Sequence, residues 1–186
     1  MQKSGNDVIA SEVLASDRVP GNAGGSRLSV SEIWTLLDEV KDPEVPAVSV
    51  VELGIVRHVS WQDDELLITL TPTYSGCPAT ELIEQMVAEA LHQAGNRKVR
   101  IQSKLSPAWT TDWITEVGRE KLRAYGIAPP QGSASKMTLL GHDERVLCPH
   151  CGSDDTQQVS EFGSTACKAL YRCTSCLEPF DYFKCI

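Results

Sequence analysis

Two short cysteine pairs limit what this chain can fold into more than any other feature. Cys148-Pro149-His150-Cys151 and Cys173-Thr174-Ser175-Cys176 are both Cys-x-x-Cys, and 21 residues separate Cys151 from Cys173. Two thiolates three positions apart on a tight turn reach one ion, and two such turns complete a tetrahedron. The spacing predicts a closed structural Zn²⁺ site, a single ion per chain, held by Cys148, Cys151, Cys173 and Cys176. An iron–sulfur cluster on the same four thiolates is the competing occupant. Between and after the pairs, "TQQVSEF", "CKALYRC" and "EPFDYFKC" read as strands, the first two joined at Gly163-Ser164-Thr165. A module of about 40 residues has too little core to fold alone, and metal ligation supplies the missing stability. Residues 146–186 are therefore expected to form a β-rich zinc ribbon, with His150 a bystander in its knuckle.

The chain has seven cysteines, so three lie outside these pairs. An odd count without a secretory signal argues against a disulfide framework and for metal or thiol chemistry. The N-terminal "MQKSGNDVIASEVLASDR" has no long apolar core, and no apolar run approaches a membrane span. The expected setting is cytoplasmic, with no membrane partner. Net charge is −8, and residues 131–186 hold five Lys/Arg against seven Asp/Glu, so neither half is basic. Binding to nucleic acid by phosphate neutralisation is disfavoured on that ground.

Two of the remaining cysteines, Cys167 and Cys185, flank the second knuckle. Ribbon topology brings them toward one tip, where they form a candidate second thiol pair for transient metal or cluster contact. The plainer reading is two small buried hydrophobes.

Ahead of the ribbon, the polar residues 1–27 read as a disordered arm. Residues 28–128 read as one small α/β layer domain in the order α-β-β-α-β-α, a short mixed sheet with helices packed on it. Residues 129–145 read as a linker. The class is therefore α+β. Ser29 and Glu32 fit a capping box opening the first helix. "IVRHVSW" and "ELLITLTP" read as strands around an acidic turn, and "KVRIQSKL" as a third. "TTDWITEVGREKLRAYG" reads as one last helix, capped by Gly126 and ended by Pro129 and Pro130.

The second helix begins after Gly76-Cys77-Pro78. Proline suits the first helical position, which makes Cys77 the expected N-cap, its sulfur facing free backbone N–H groups and the positive end of the helix dipole. Such a site stabilises a thiolate suited to nucleophilic or soft-metal chemistry. The alternative is a packed, inert cysteine at a turn. No base is evident beside it: His58 falls on a strand and His92 several turns along the helix. Asp42 and Glu44 place two carboxylates in the rigid loop "DPEVP".

Three stretches carry a family resemblance: "VKDPEVPAVSVVELGIVRHV", "LTPTYSGCPATELI" and "LSPAWTTDWITEVGREKL". With Asp42-Pro43-Glu44, Glu52-Leu53-Gly54, Gly76-Cys77-Pro78, Trp109, Thr110 and Asp112 they resemble the SufT-like domain linked to iron–sulfur cluster assembly. With the ribbon attached, residues 28–186 resemble the accessory proteins encoded with phenylacetyl-CoA 1,2-epoxidase, the multicomponent oxygenase of aerobic phenylacetate breakdown. The resemblance implies maturation rather than catalysis. The implied role is insertion of iron or an iron–sulfur cluster into an oxygenase or reductase component, with Cys77 a transient ligand and Asp42 and Glu44 lining its groove. Implied partners are those components or iron–sulfur assembly proteins; self-association is left open. The alternative is a non-catalytic structural component that docks through its ribbon.

Overall fold

The computed structural model describes residues 27–131 and 145–184. The arm up to residue 26, residues 132–144 and Cys185 lie outside the described residues, so the pairing of Cys167 with Cys185 does too.

The first lobe follows the expected order. Helix α1 spans Val30–Asp38. Ser29 caps it: its hydroxyl accepts the Glu32 N–H, and the Glu32 carboxylate accepts the Ser29 N–H at 2.8 Å. Two orphan donors are thus satisfied together, and the apolar stripe of Ile33 and Leu37 turns into the core. Strands β1 (Val56–Gln62) and β2 (Glu65–Leu70) form an antiparallel hairpin, with Asp63 at φ 53° in the tight turn. Helix α2 (Thr80–Gln93) buries Ile83, Val87 and Leu91 and crosses to β3 (Val99–Ser103), which pairs parallel with β2. The mixed sheet order is β1-β2-β3.

The last expected helix is two pieces. A 3₁₀ turn covers Thr111–Trp113, and α3 runs Glu116–Ala124. Each has its own threonine cap: Thr110 accepts the Asp112 N–H and Thr115 accepts the Gly118 N–H. The break between them docks on residues 52–54. Thr115 N–H donates to Glu52 C=O at 2.9 Å, and the Trp109 indole N–H donates to Leu53 C=O at 2.9 Å. Glu52 itself is buried; its carboxylate accepts the Ser49 N–H and pairs with the Lys121 ammonium at 2.5 Å. Gly54, at φ +68°, leaves no room for a side chain: an added Cβ would lie 2.6 Å from the Trp113 Cβ.

The second lobe is a sheet of order β4-β7-β6-β5, with β5 (Thr156–Ser160), β6 (Lys168–Cys173) and β7 (Pro179–Phe183) as an antiparallel meander. Its fourth strand comes from the first lobe. Ile127–Ala128, immediately after α3, form β4 and pair parallel with Asp181 and Tyr182 of β7. The lobes therefore share a sheet and a core. Cys167 and Phe183 belong to the same buried cluster as Val45, Leu53, Ile83 and Trp109. Tyr171, Phe180 and Tyr182 pack a separate small cluster beside the cysteine knuckles. Among the described residues no helix is long and apolar enough to cross a membrane.

Candidate metal centre and the Cys77 turn

Two chain reversals bring the four knuckle cysteines together. Cys148 N–H donates to Ser153 C=O and Gly152 N–H to Cys148 C=O. On the other side Cys176 N–H points at the Cys173 sulfur, 3.4 Å away. The two knuckles match in backbone as well as spacing. Gly152 and Leu177 each follow the second cysteine of their pair, and both have positive φ, at 76° and 68°. Glycine takes that conformation without strain; Leu177 holds it at a cost.

All four sulfurs lie within 4.8 Å of one another. Cys148 and Cys176 are 3.7 Å apart, Cys151 and Cys173 3.6 Å. A sulfur tetrahedron about one ion with bonds of about 2.3 Å has edges of about 3.8 Å. A disulfide would need about 2.05 Å. The donor set therefore fits a single tetrahedral ion. The backbone N–H groups of Cys176 and Ser175 pull the Cys173 thiol down to about 6, which favours the thiolate a metal requires. His150 offers no donor to this cluster.

Cys77 sits on the turn before α2. That helix starts at Thr80 with Ala79 as its N-cap, so Cys77 is two positions further out than expected. The residue still meets the first turn: its carbonyl accepts the Thr80 hydroxyl at 2.9 Å and the Thr80 N–H at 3.2 Å. The surroundings as a whole do not favour the thiolate. Burial pushes the Cys77 thiol above its ordinary value, the Ala79 N–H opposes that, and the negative charges of Glu44 and Asp42 raise it further. The resting group is a protonated thiol, half-buried, and the Cys77 backbone N–H donates to Tyr74 C=O at 3.3 Å.

Asp42 and Glu44 play different parts. Asp42 is buried, and one carboxylate oxygen accepts the N–H groups of Glu44 at 2.9 Å and Val45 at 2.8 Å. It builds the loop. Glu44 is the free arm of that loop, and its carboxylate reaches across to the ribbon: the Cys167 sulfur is 3.8 Å from Glu44 Oε2. Cys167 is only 4% exposed, and burial pushes its thiol up to about 11. No local pattern signals this contact, because 123 positions separate the two residues.

Neither His58 nor His92 touches these groups, and both are exposed. A recess of about 510 Å³ opens on the sheet face around Arg57, His58, Lys104 and Trp113, and none of the cysteines lines it.

Comparison with known proteins follows the same division. Residues 31–102 match the family described as "Iron-sulfur cluster assembly protein", and residues 132–184 match the "PaaD zinc beta ribbon domain". Over 157 residues the chain is 52% identical to an Escherichia coli (strain K12) protein named as one of the subunits of 1,2-phenylacetyl-CoA epoxidase; the match covers 84% of this chain and 93% of that one. It is 37% identical over 89 residues to the Bacillus subtilis (strain 168) Fe-S protein maturation auxiliary factor YitW, covering 47% of this chain and 86% of that protein. A Bacillus anthracis crystal structure titled as a domain of unknown function, DUF59, is 25% identical and covers 50% of this chain and 90% of that one, with a TM-score of 0.47.

Proposed function

We propose that this chain, which belongs to the PaaD family, works as an accessory maturation protein that helps insert iron or an iron–sulfur cluster into an oxygenase or reductase component of the phenylacetyl-CoA epoxidase system. The observation that carries this reading is the Cys77 turn. A half-buried thiol stands just before a helix start, its backbone N–H held by Tyr74 C=O at 3.3 Å and its sulfur within the field of Glu44 and Asp42. Protonated at rest, it resists oxidation; bound to a metal, it gives up its proton and becomes a soft ligand. A group meant to receive and release iron needs that reversibility, which a fully closed four-thiolate site lacks.

The four-cysteine cluster then has a structural role, holding Zn²⁺. Its donor atoms leave no open position, as expected of an ion that folds a ribbon rather than one that performs chemistry.

A docking role for the ribbon has a separate support. Val159, Phe162 and Leu177 are each more than half exposed on it. Co-expression of the oxygenase and reductase components with Cys77→Ala separates the two readings. Maturation predicts that iron occupancy and oxygenase activity fall while the variant still co-purifies with its partners. A purely structural docking role predicts that both are unchanged, and that outcome would overturn the maturation role.

A further inference from the structure

The first lobe presents Cys77 and Glu44; the second presents Cys167; and all three belong to one neighbourhood. Glu44 Oε2 is 3.8 Å from the Cys167 sulfur. The Glu44 charge acts on Cys77 and Cys167 alike, as does that of Asp42. Tyr74, whose C=O accepts the Cys77 N–H at 3.3 Å, feels the charge of both cysteines and of Glu44. Cys77 and Tyr74 pack against the core cluster that contains Cys167. One thiol, Cys167, thus touches the Glu44 carboxylate, and a second, Cys77 of the other lobe, lies within its field. A cation stands behind them: Lys168, 6% exposed, acts on Asp42 and Cys167 and pairs with Asp181 at 3.7 Å.

We infer that Cys77, Cys167 and Glu44 form a second metal site at the seam between the lobes, taking a ferrous ion on two thiolates and one carboxylate. This rests on the maturation reading and names where the iron goes. The donor set has two soft sulfurs and one hard oxygen, a combination suited to borderline divalent ions. Binding replaces two S–H bonds by two S–metal bonds, and both protons leave to water. The divalent charge then offsets two thiolates and the Glu44 carboxylate to a net single negative charge, which faces the Lys168 ammonium. Among the described residues only the four knuckle cysteines bring three donors within 4.8 Å. The seam site is therefore open at rest and closes by rotation of the Glu44 and Cys77 side chains, both on loops and both half-buried. Cys167, fixed in the core, is the anchor, and Cys77 is the side from which an ion enters.

The test is anaerobic titration of the zinc-replete full chain with Co²⁺, reading thiolate-to-cobalt charge-transfer absorption and the mass of the native complex. The expected result is one further ion per chain with sulfur-to-metal absorption and no zinc released. Cys167→Ser and Glu44→Gln should each weaken that binding about 10-fold or more, and Cys77→Ala should abolish it. Glu44→Gln keeps the side chain's volume on a half-buried loop, so it tests the site even if Cys167→Ser disturbs the core. Binding that survives both Cys167→Ser and Glu44→Gln but not Cys77→Ala would sink the seam site and leave the maturation reading standing. Absorption that persists in Cys77→Ala with zinc released would mean cobalt had entered the knuckles, and would overturn the seam site as well. No binding by the unaltered chain would count against both.

Discussion

The edge of the Trp109 ring meets Phe183 across the two lobes, ring centroids 6.0 Å apart and planes at 63°, while its indole N–H is held by Leu53 C=O at 2.9 Å. One side chain is thus bonded to the first lobe and packed on the second. Trp109→Ala would empty a buried aromatic site and free a buried carbonyl. A loss of about 3–5 kcal/mol is expected. Urea unfolding followed by far-ultraviolet circular dichroism would check it, and a loss under about 1 kcal/mol would mean the lobes do not depend on this contact.

The shared core makes metal removal a global event. Cys148→Ala should lose the ion and release β6 and β7, and with them Phe183 and Cys167 from the main cluster. Chelation should therefore expose amides in α1 and β2 to hydrogen exchange, not only those of the ribbon. Unchanged protection in the first lobe would show that the two lobes are energetically separate.

Cys167 sets a pH window. Its thiol rises from the ordinary 9.0 to about 11 on folding, because it is buried. The folded chain then binds more protons than the unfolded one between those values, so stability is full below about 9 and falls as pH rises toward 11. About 2–3 kcal/mol is at stake, at 1.36 kcal/mol per unit. Cys167→Ala, compared with the unaltered chain at pH 8 and pH 10.5, should lose less stability over that interval. An identical loss in both would refute the assignment.

Gly54 combines a left-handed backbone with a close approach to Trp113. Gly54→Ala should cost about 2–3 kcal/mol through strain and displacement of the 3₁₀ turn. Differential scanning calorimetry reads it as a lowered Tm.

Leu177 holds the conformation that Gly152 holds in the matching knuckle. Leu177→Gly should relieve that strain and leave the metal-loaded chain equally stable or about 1 kcal/mol more so. Since Leu177 is 61% exposed, the same substitution should weaken partner binding if the ribbon docks through this tip. Both are read from one purified variant, by thermal melt and by pull-down.

What the sequence made legible was local or repetitive. The Ser29–Glu32 box, the strand alternation of residues 56–70 and the paired Cys-x-x-Cys spacing each encode their structure within a few positions. The break at Ile114 was hidden because Thr115, a second cap, lies inside an otherwise helical pattern. Strand β4 was hidden because two residues before Pro129 acquire their identity only from β7. Cys77 stands out in the sequence as a chemically apt position, yet its proton affinity depends on Glu44 and on burial, neither visible in the turn itself. Ribbon topology alone points Cys167 toward Cys185; the folded chain sets it against Glu44, a contact that exists only once the lobes meet.

The parallel pairing of β4 with β7 has a consequence for how the chain is made. Strand β7 emerges from the ribosome after every other described element, yet it supplies the neighbour of β4 and the partner of Trp109. A nascent chain that has completed α3 therefore holds an open strand edge and an uncovered indole until β7 has been synthesised and has folded against them.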